Sequence, residues 1–207
     1  MTNIAILGSS GHGKVIAELA VLNGFHHIHF FDDAWPNIAQ LEHWQVVGNT
    51  ESLIRQLGDY DGVAIAIGNN AIRLEKFAQL SALGAQLVNL IHPSAAVSEL
   101  AKLGKGVVVM ANASINPFAS IGNACIINTN SSIDHDCVLR DAVHISPGAN
   151  LAGAVSIGQC SWIGIGSQVK QLINIGVHVV VGAGGTVIND IPDNQMVVGT
   201  PAKPLHK

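Results

Sequence analysis

Two hydrophobic periods divide the chain. Over residues 1–86, short apolar runs alternate with segments whose apolar residues recur at helical spacing. NIAILG (3–8), HIHFFDD (27–33), GVAIAIGNN (62–70) and QLVNLI (86–91) are predicted strands. Residues 14–24, 50–58 and 71–84 are predicted helices, the first and last closed by Gly24 and Gly84, and the second capped by Thr50. Strands alternating with helices imply a parallel sheet, here a Rossmann-like α/β domain over 1–86.

From Ile91 the period becomes six. Ile91, Val97, Leu103, Val109, Ile115, Ile121 and every sixth residue onward to Val187 make seventeen consecutive Ile, Leu or Val positions without a slip. Four residues after each stands a mostly small residue, such as Ala113, Ala119, Cys125, Ser131 and Cys137. Helices repeat near 3.6 residues and strands near 2. A strict six is the mark of a parallel β-helix built from hexapeptide repeats, predicted over 87–207. Each hexapeptide lays down one short strand and one corner, and stacked coils bury each other's aliphatic residues. A β-sandwich has irregular loops and does not keep such a register.

Composition narrows the function. Hydrophobic residues make up 48% of the chain and charged ones 12%, which excludes a disordered protein. The net charge is −4 and no basic cluster occurs, so neither nucleic acid nor membrane insertion is expected. Cys125, Cys137 and Cys160 form no CxxC pair and read as reduced core residues of a cytoplasmic protein. The N-terminus shows no signal-peptide pattern, and no apolar run approaches the ~18 residues that span a bilayer.

Polar residues gather at three places. Gly8, Gly11 and Gly13 form a G-x-x-G-x-G turn between strand and helix, with His12 and Lys14 beside it. Such a turn offers backbone N–H groups and a positive dipole end to a phosphate, or is simply a tight turn. Asp32 and Asp33 end the second strand, where acids meet a ribose or base edge or merely cap a helix. In SSIDHDCVLRDAVHISPGAN (131–150), His135 follows the inward Ile133 and is flanked by Asp134 and Asp136. A carboxylate beside an imidazole raises its basicity, which suits a general base. His135, His144 and His178 have no metal-ligand spacing, and no metal is expected.

Together the hexapeptide array and the segments GSSGHGKVIAELA, FFDD, AIGNNAIR, NLIHPSA, IDHDC and VGTPAK resemble the hexapeptide-repeat acyltransferases. The similarity is to their sialic acid O-acetyltransferase-like branch, and within it to the UDP-4-amino-sugar N-acetyltransferases of the bacillosamine pathway. The resemblance implies a left-handed β-helix, a homotrimer with sites between neighbouring prisms, and acetyl-CoA as co-substrate. It implies that Ser10, Gly11, His12, Asp32, Asp33 and Gly68 contact a UDP-amino-sugar. It makes His135 the base and Asp136 its support, although the family carries Glu at the latter position, which leaves Asp134 as the alternative. It assigns His144, Gly153, Ile165, Gly182 and Ala183 to acetyl-CoA, with a backbone N–H near Gly153 a candidate oxyanion donor. With roughly eighteen residues per coil in that fold, His135 and His144 fall on different faces of one prism. His144 of one subunit then meets His135 of the next. The implied activity is acetylation of the sugar 4-amino group. Acetylation of a sugar hydroxyl and a non-catalytic nucleotide-sugar scaffold are the alternatives.

Overall fold

The computed structural model describes residues 2–205. They fall into two compact units, Met1–Ile91 and His92–Lys207, so the boundary lies later than the expected 86/87. The expected strand at 86–91 is reduced to a bridge of Leu87 with Val63 and a two-residue strand at Leu90–Ile91.

The first unit is a sheet with helices. Its elements are β1 (Asn3–Leu7), α1 (Gly11–Leu22), β2 (His27–Phe31), β3 (Gln40–Leu41), β4 (Trp44–Gly48), α2 (Thr50–Arg55), β5 (Gly62–Ile65) and α3 (Asn70–Ala82). The sheet order is β3-β4-β2-β1-β5, parallel except for the β3–β4 pair. Ile4, Ile6, Phe30, Phe31 and Val63 bury the sheet, and Ile16, Leu19 and Leu80 pack helices onto it. Three details differ from the sequence reading. β3 and β4 were not expected, because residues 34–49 carry Pro36, His43 and Trp44 and show no clean period. α1 begins at Gly11 rather than at residue 14, so the glycine turn forms the helix's own first turn. The cap of α2 is Asn49, not Thr50: its Oδ1 accepts from Ser52 N at 3.0 Å.

The second unit is a left-handed parallel β-helix of two-residue strands in three faces. One face stacks Ala96–Val97, Ser114–Ile115, Ser132–Ile133, Asn150–Leu151, Gln168–Val169 and Thr186–Val187. A second stacks Lys102–Leu103, Ser120–Ile121, Val138–Leu139, Ser156–Ile157 and Asn174–Ile175. The third runs through Val108–Val109, Ile126–Ile127, His144–Ile145, Trp162–Ile163, Val180–Val181 and Met196–Val198. Partners on the first face stand one coil apart, as Ser114 with Ser132 and Ser132 with Asn150. Each two-residue strand of the three faces ends on a residue of the six-step aliphatic series, and Ile127, Ile133, Ile145 and Ile163 are fully enclosed. The small residues Ala113, Ala119, Cys137 and Ala149 are equally enclosed, as the tight interior requires.

The corners form a series of their own. Every sixth residue from Gly106 to Gly184 has positive φ, including Asn112, Phe118, Asp136, Ala154, Leu172 and His178. Glycine, asparagine and aspartate adopt this left-handed conformation readily, whereas phenylalanine and leucine do so at a cost. Phe118 and Leu172 are nevertheless the corner side chains at 64% and 71% exposure.

Candidate functional site

The three N-terminal segments singled out from sequence follow β1, β2 and β5, adjacent strands of one sheet, and so meet along its C-terminal edge. Backbone contact there is close. A Cβ on Gly8, which has φ +110°, would stand 2.7 Å from the Ala66 carbonyl oxygen. Ser10 is the N-cap residue of α1 and makes no side-chain capping bond. Lys14, offered by the sequence as a phosphate donor, pairs instead with Glu42.

The two aspartates hold this edge together. Asp32 Oδ2 accepts from Ser9 N at 2.8 Å and from Ser9 Oγ at 2.7 Å, and Oδ1 accepts from Ala34 N at 2.9 Å. Burial works against its ionisation, but these bonds outweigh it and the carboxyl lies below the usual range. Asp33 accepts from Thr50 N and from Lys76 Nζ, each at 2.9 Å. Its carboxyl is lowered too, bonds from Thr50 and Lys76 overcoming partial burial. The capping and bracing roles that the sequence left open are therefore present, and Ser9 and Lys76, which sequence reasoning missed, share them.

His12 is half-buried in the first turn of α1. Its Nε2 is buried without a hydrogen-bond partner among the described residues. Burial first, and the nearby Arg73 charge second, push its pKa down to about 4. Arg73 is itself 1% exposed. It donates from Nη1 to the carbonyls of Ile67 (2.9 Å) and Gly68 (3.1 Å), and from Nη2 to Asn70 Oδ1 (2.7 Å).

In the β-helix, His135 and Asp136 lie on the edge between the first and second faces. His135 Nδ1 stands 2.8 Å from Asp136 Oδ2. The positive φ of Asp136 is the corner's own requirement, and aspartate meets it at little cost. Asp134 does a different job: its Oδ1 accepts from His135 N and from Asn116 Nδ2, both at 2.8 Å. Asp134 thus fixes the backbone and Asp136 meets the ring. The imidazole is raised above its ordinary range, first by the Asp136 bond and then by the Asp134 charge. With Nδ1–H donated to Asp136, the neutral ring carries its lone pair on Nε2.

Gly153, one coil on, lies against this ring. A Cβ there would come within 2.6 Å of His135 Nε2 and Cε1. Gly153 therefore borders the imidazole, apart from the other four residues assigned to acetyl-CoA. Those four, His144, Ile165, Gly182 and Ala183, line one groove of about 620 Å³ on the third face. His144 is buried, its ring centroid 4.4 Å from that of Trp162. Its Nε2 is 3.2 Å from Asn128 Nδ2, and Trp162 Nε1 donates to Ser146 Oγ at 2.7 Å. Asn128, Ser146 and Trp162 were not found from sequence. A usable signal existed: the residue preceding each inward aliphatic points outward. On this face those residues are Val108, Ile126, His144, Trp162 and Val180, against Ser114, Ser132, Asn150 and Gln168 on the first. An eighteen-step comparison of outward positions separates an apolar face from a polar one.

One chain thus keeps His135 on the edge between two faces and the groove on the third. No helix among the described residues is long and apolar enough to cross a membrane.

Comparison with known proteins places this architecture. Residues 3–80 match the PglD N-terminal domain. The chain is 39% identical over 114 residues to the UDP-N-acetylbacillosamine N-acetyltransferase of Bacillus subtilis, a match spanning 54% of this chain and 52% of that protein, about half its length. Among solved structures, it superposes on the acetyltransferase domain of PglB from Neisseria gonorrhoeae in complex with acetyl coenzyme A. The TM-score is 0.94 and the identity 42%, over 98% of both chains. PerB from Caulobacter crescentus, in complex with CoA and GDP-perosamine, matches with a TM-score of 0.94 and 37% identity, over 100% of this chain and 98% of that one. The chain belongs to the family of hexapeptide-repeat acetyltransferases that includes these proteins.

Proposed function

We propose that the protein uses acetyl-CoA to acetylate the 4-amino group of a nucleotide-linked 4-amino-4,6-dideoxy sugar, with a UDP-sugar as the acceptor. The observation that carries this reading is the His135–Asp136 pair on the edge of a hexapeptide β-helix. The acceptor nitrogen attacks the thioester carbonyl, and His135 Nε2 takes its proton. The tetrahedral intermediate collapses and expels coenzyme A as thiolate, which the protonated imidazole can neutralise. The groove beside His144 and Trp162 takes the pantetheine end of acetyl-CoA, and the C-terminal edge of the first unit's sheet takes the nucleotide.

The working form is a homotrimer. The His135 edge of one subunit faces the groove of the next, an edge-to-face contact that closes into a ring. Exposed Phe118 and Leu172 stand on that same edge, above and below His135, and the subunit contact covers them.

The test is a thiol-release assay with acetyl-CoA and matched acceptors: UDP- and GDP-linked 4-amino sugars and their 4-hydroxy counterparts. Turnover with the UDP 4-amino sugar alone is expected. Preference for the hydroxyl sugars would make the protein an O-acetyltransferase, and binding without thiol release would make it a scaffold.

A further inference from the structure

Arg73 is enclosed in the first unit, and the sequence reading assigns its side chain no role. A buried guanidinium is expensive unless its N–H groups are satisfied. Three of its hydrogen bonds go to one loop, to the carbonyls of Ile67 and Gly68 and the side chain of Asn70, immediately after β5. That loop packs on the glycine turn: Ala66 N donates to Leu7 O at 2.7 Å, and Gly8 lies against the Ala66 carbonyl. Asn69 then caps α3 by accepting from Ile72 N, so the loop is tied at both ends. On the other side of the turn is His12, with its buried Nε2.

We propose that Arg73 is a positioning residue for the nucleotide end of the substrate. It locks the 67–70 loop against the glycine turn and reinforces the burial that keeps His12 neutral, a hydrogen-bond donor to a phosphate-ester or hydroxyl oxygen. The proposal rests on the reading of this sheet edge as the nucleotide site. Two independent features support it. The geometry ties Arg73 to the backbone of Gly68, so its loss frees that loop. The electrostatics act on His12: burial and the Arg73 charge both disfavour the imidazolium, and the ring stays neutral throughout the physiological range. Arg73 is the charged group that acts on this imidazole. A neutral imidazole donates one directed bond without a counter-charge of its own.

The test uses the full chain with Arg73→Gln and Arg73→Lys, read by NMR titration of His12 and by calorimetric binding of UDP at one pH. In the wild type the His12 midpoint is expected at about 4. Arg73→Gln moves it upward, though burial keeps it below that of a free histidine, and weakens UDP binding by roughly tenfold or more, as for loss of a charge-assisted contact. Arg73→Lys restores the charge and returns the His12 midpoint, but cannot hold two carbonyls at once and recovers binding only in part. An unmoved His12 midpoint in Arg73→Gln, or unchanged UDP affinity, overturns the proposal. A wild type that binds neither UDP nor GDP overturns the nucleotide reading instead, and the His12 midpoints, measured without ligand, still report whether Arg73 acts on the ring. Dispersed amide spectra verify that both variants fold.

Discussion

His12 and His135 are the same side chain held in opposite electrostatic states. In the first unit, burial and Arg73 hold His12 neutral, with a nitrogen that has no partner among the described residues. On the β-helix, His135 is exposed, bonded to one carboxylate and close to another, and its pKa is raised. Proton transfer needs a ring that cycles between two charge states near neutral pH; ligand positioning needs one that does not. Position in the fold decides which: a packed turn between strand and helix desolvates the ring, and a solvent-facing corner leaves it free to titrate.

The largest expected effect separates the two rings outright. His135→Ala should lower kcat by roughly 10²–10⁴ while leaving nucleotide-sugar affinity nearly intact. His12→Ala should weaken nucleotide-sugar binding, by roughly tenfold for one lost hydrogen bond, and leave the pH profile of kcat where it was. Steady-state kinetics with direct binding measurements check both. If His135→Ala retains full kcat, the contrast between the two rings loses its meaning.

Next in size is Gly153→Ala. The added Cβ would stand 2.6 Å from the His135 ring, so the imidazole must shift from its position beside Gly153. We expect a fall in kcat of roughly 10–100-fold, the scale for a misplaced catalytic group, with acetyl-CoA affinity little changed because Gly153 lies outside the His144 groove. A selective loss of acetyl-CoA binding would return Gly153 to the groove's residues.

Much of this was legible in advance, unevenly. The β-helix announced itself because its inward aliphatics obey a strict period, and the structure keeps that register from Val97 to Val187. The left-handed corner series has the same period but stayed hidden, because Phe118, Cys160, Leu172 and His178 occupy a conformation that sequence reasoning reserves for glycine and asparagine. Trp162 was missed for a related reason: it faces outward, and outward residues show their pattern only at the eighteen-residue coil repeat. In the first unit, His12, Asp32 and Asp33 could be named from sequence. That Ser9, Thr50, Lys76 and Arg73 engage the aspartates and the loop after β5 could not, since those contacts join positions far apart in the chain or turn on side-chain direction.

The smallest expected effect concerns the two carboxylates beside His135, and it tests their division of labour. A general base works when deprotonated, so activity should fall as pH drops through the His135 pKa, and because that pKa is raised the acid limb should lie above that of a free histidine. Asp136→Asn removes the first cause of the rise. The limb should then move to lower pH, and the plateau rate should fall, because a less basic imidazole takes the proton less readily. Asp134→Asn removes the second, purely electrostatic cause and keeps an amide oxygen able to accept from the His135 backbone. Its limb should move the same way by less, with the plateau nearly unchanged. The pH dependence of kcat/KM for the two variants distinguishes them. A larger displacement from Asp134→Asn would mean that the Asp134 charge, rather than the carboxylate bonded to the ring, governs the basicity of His135.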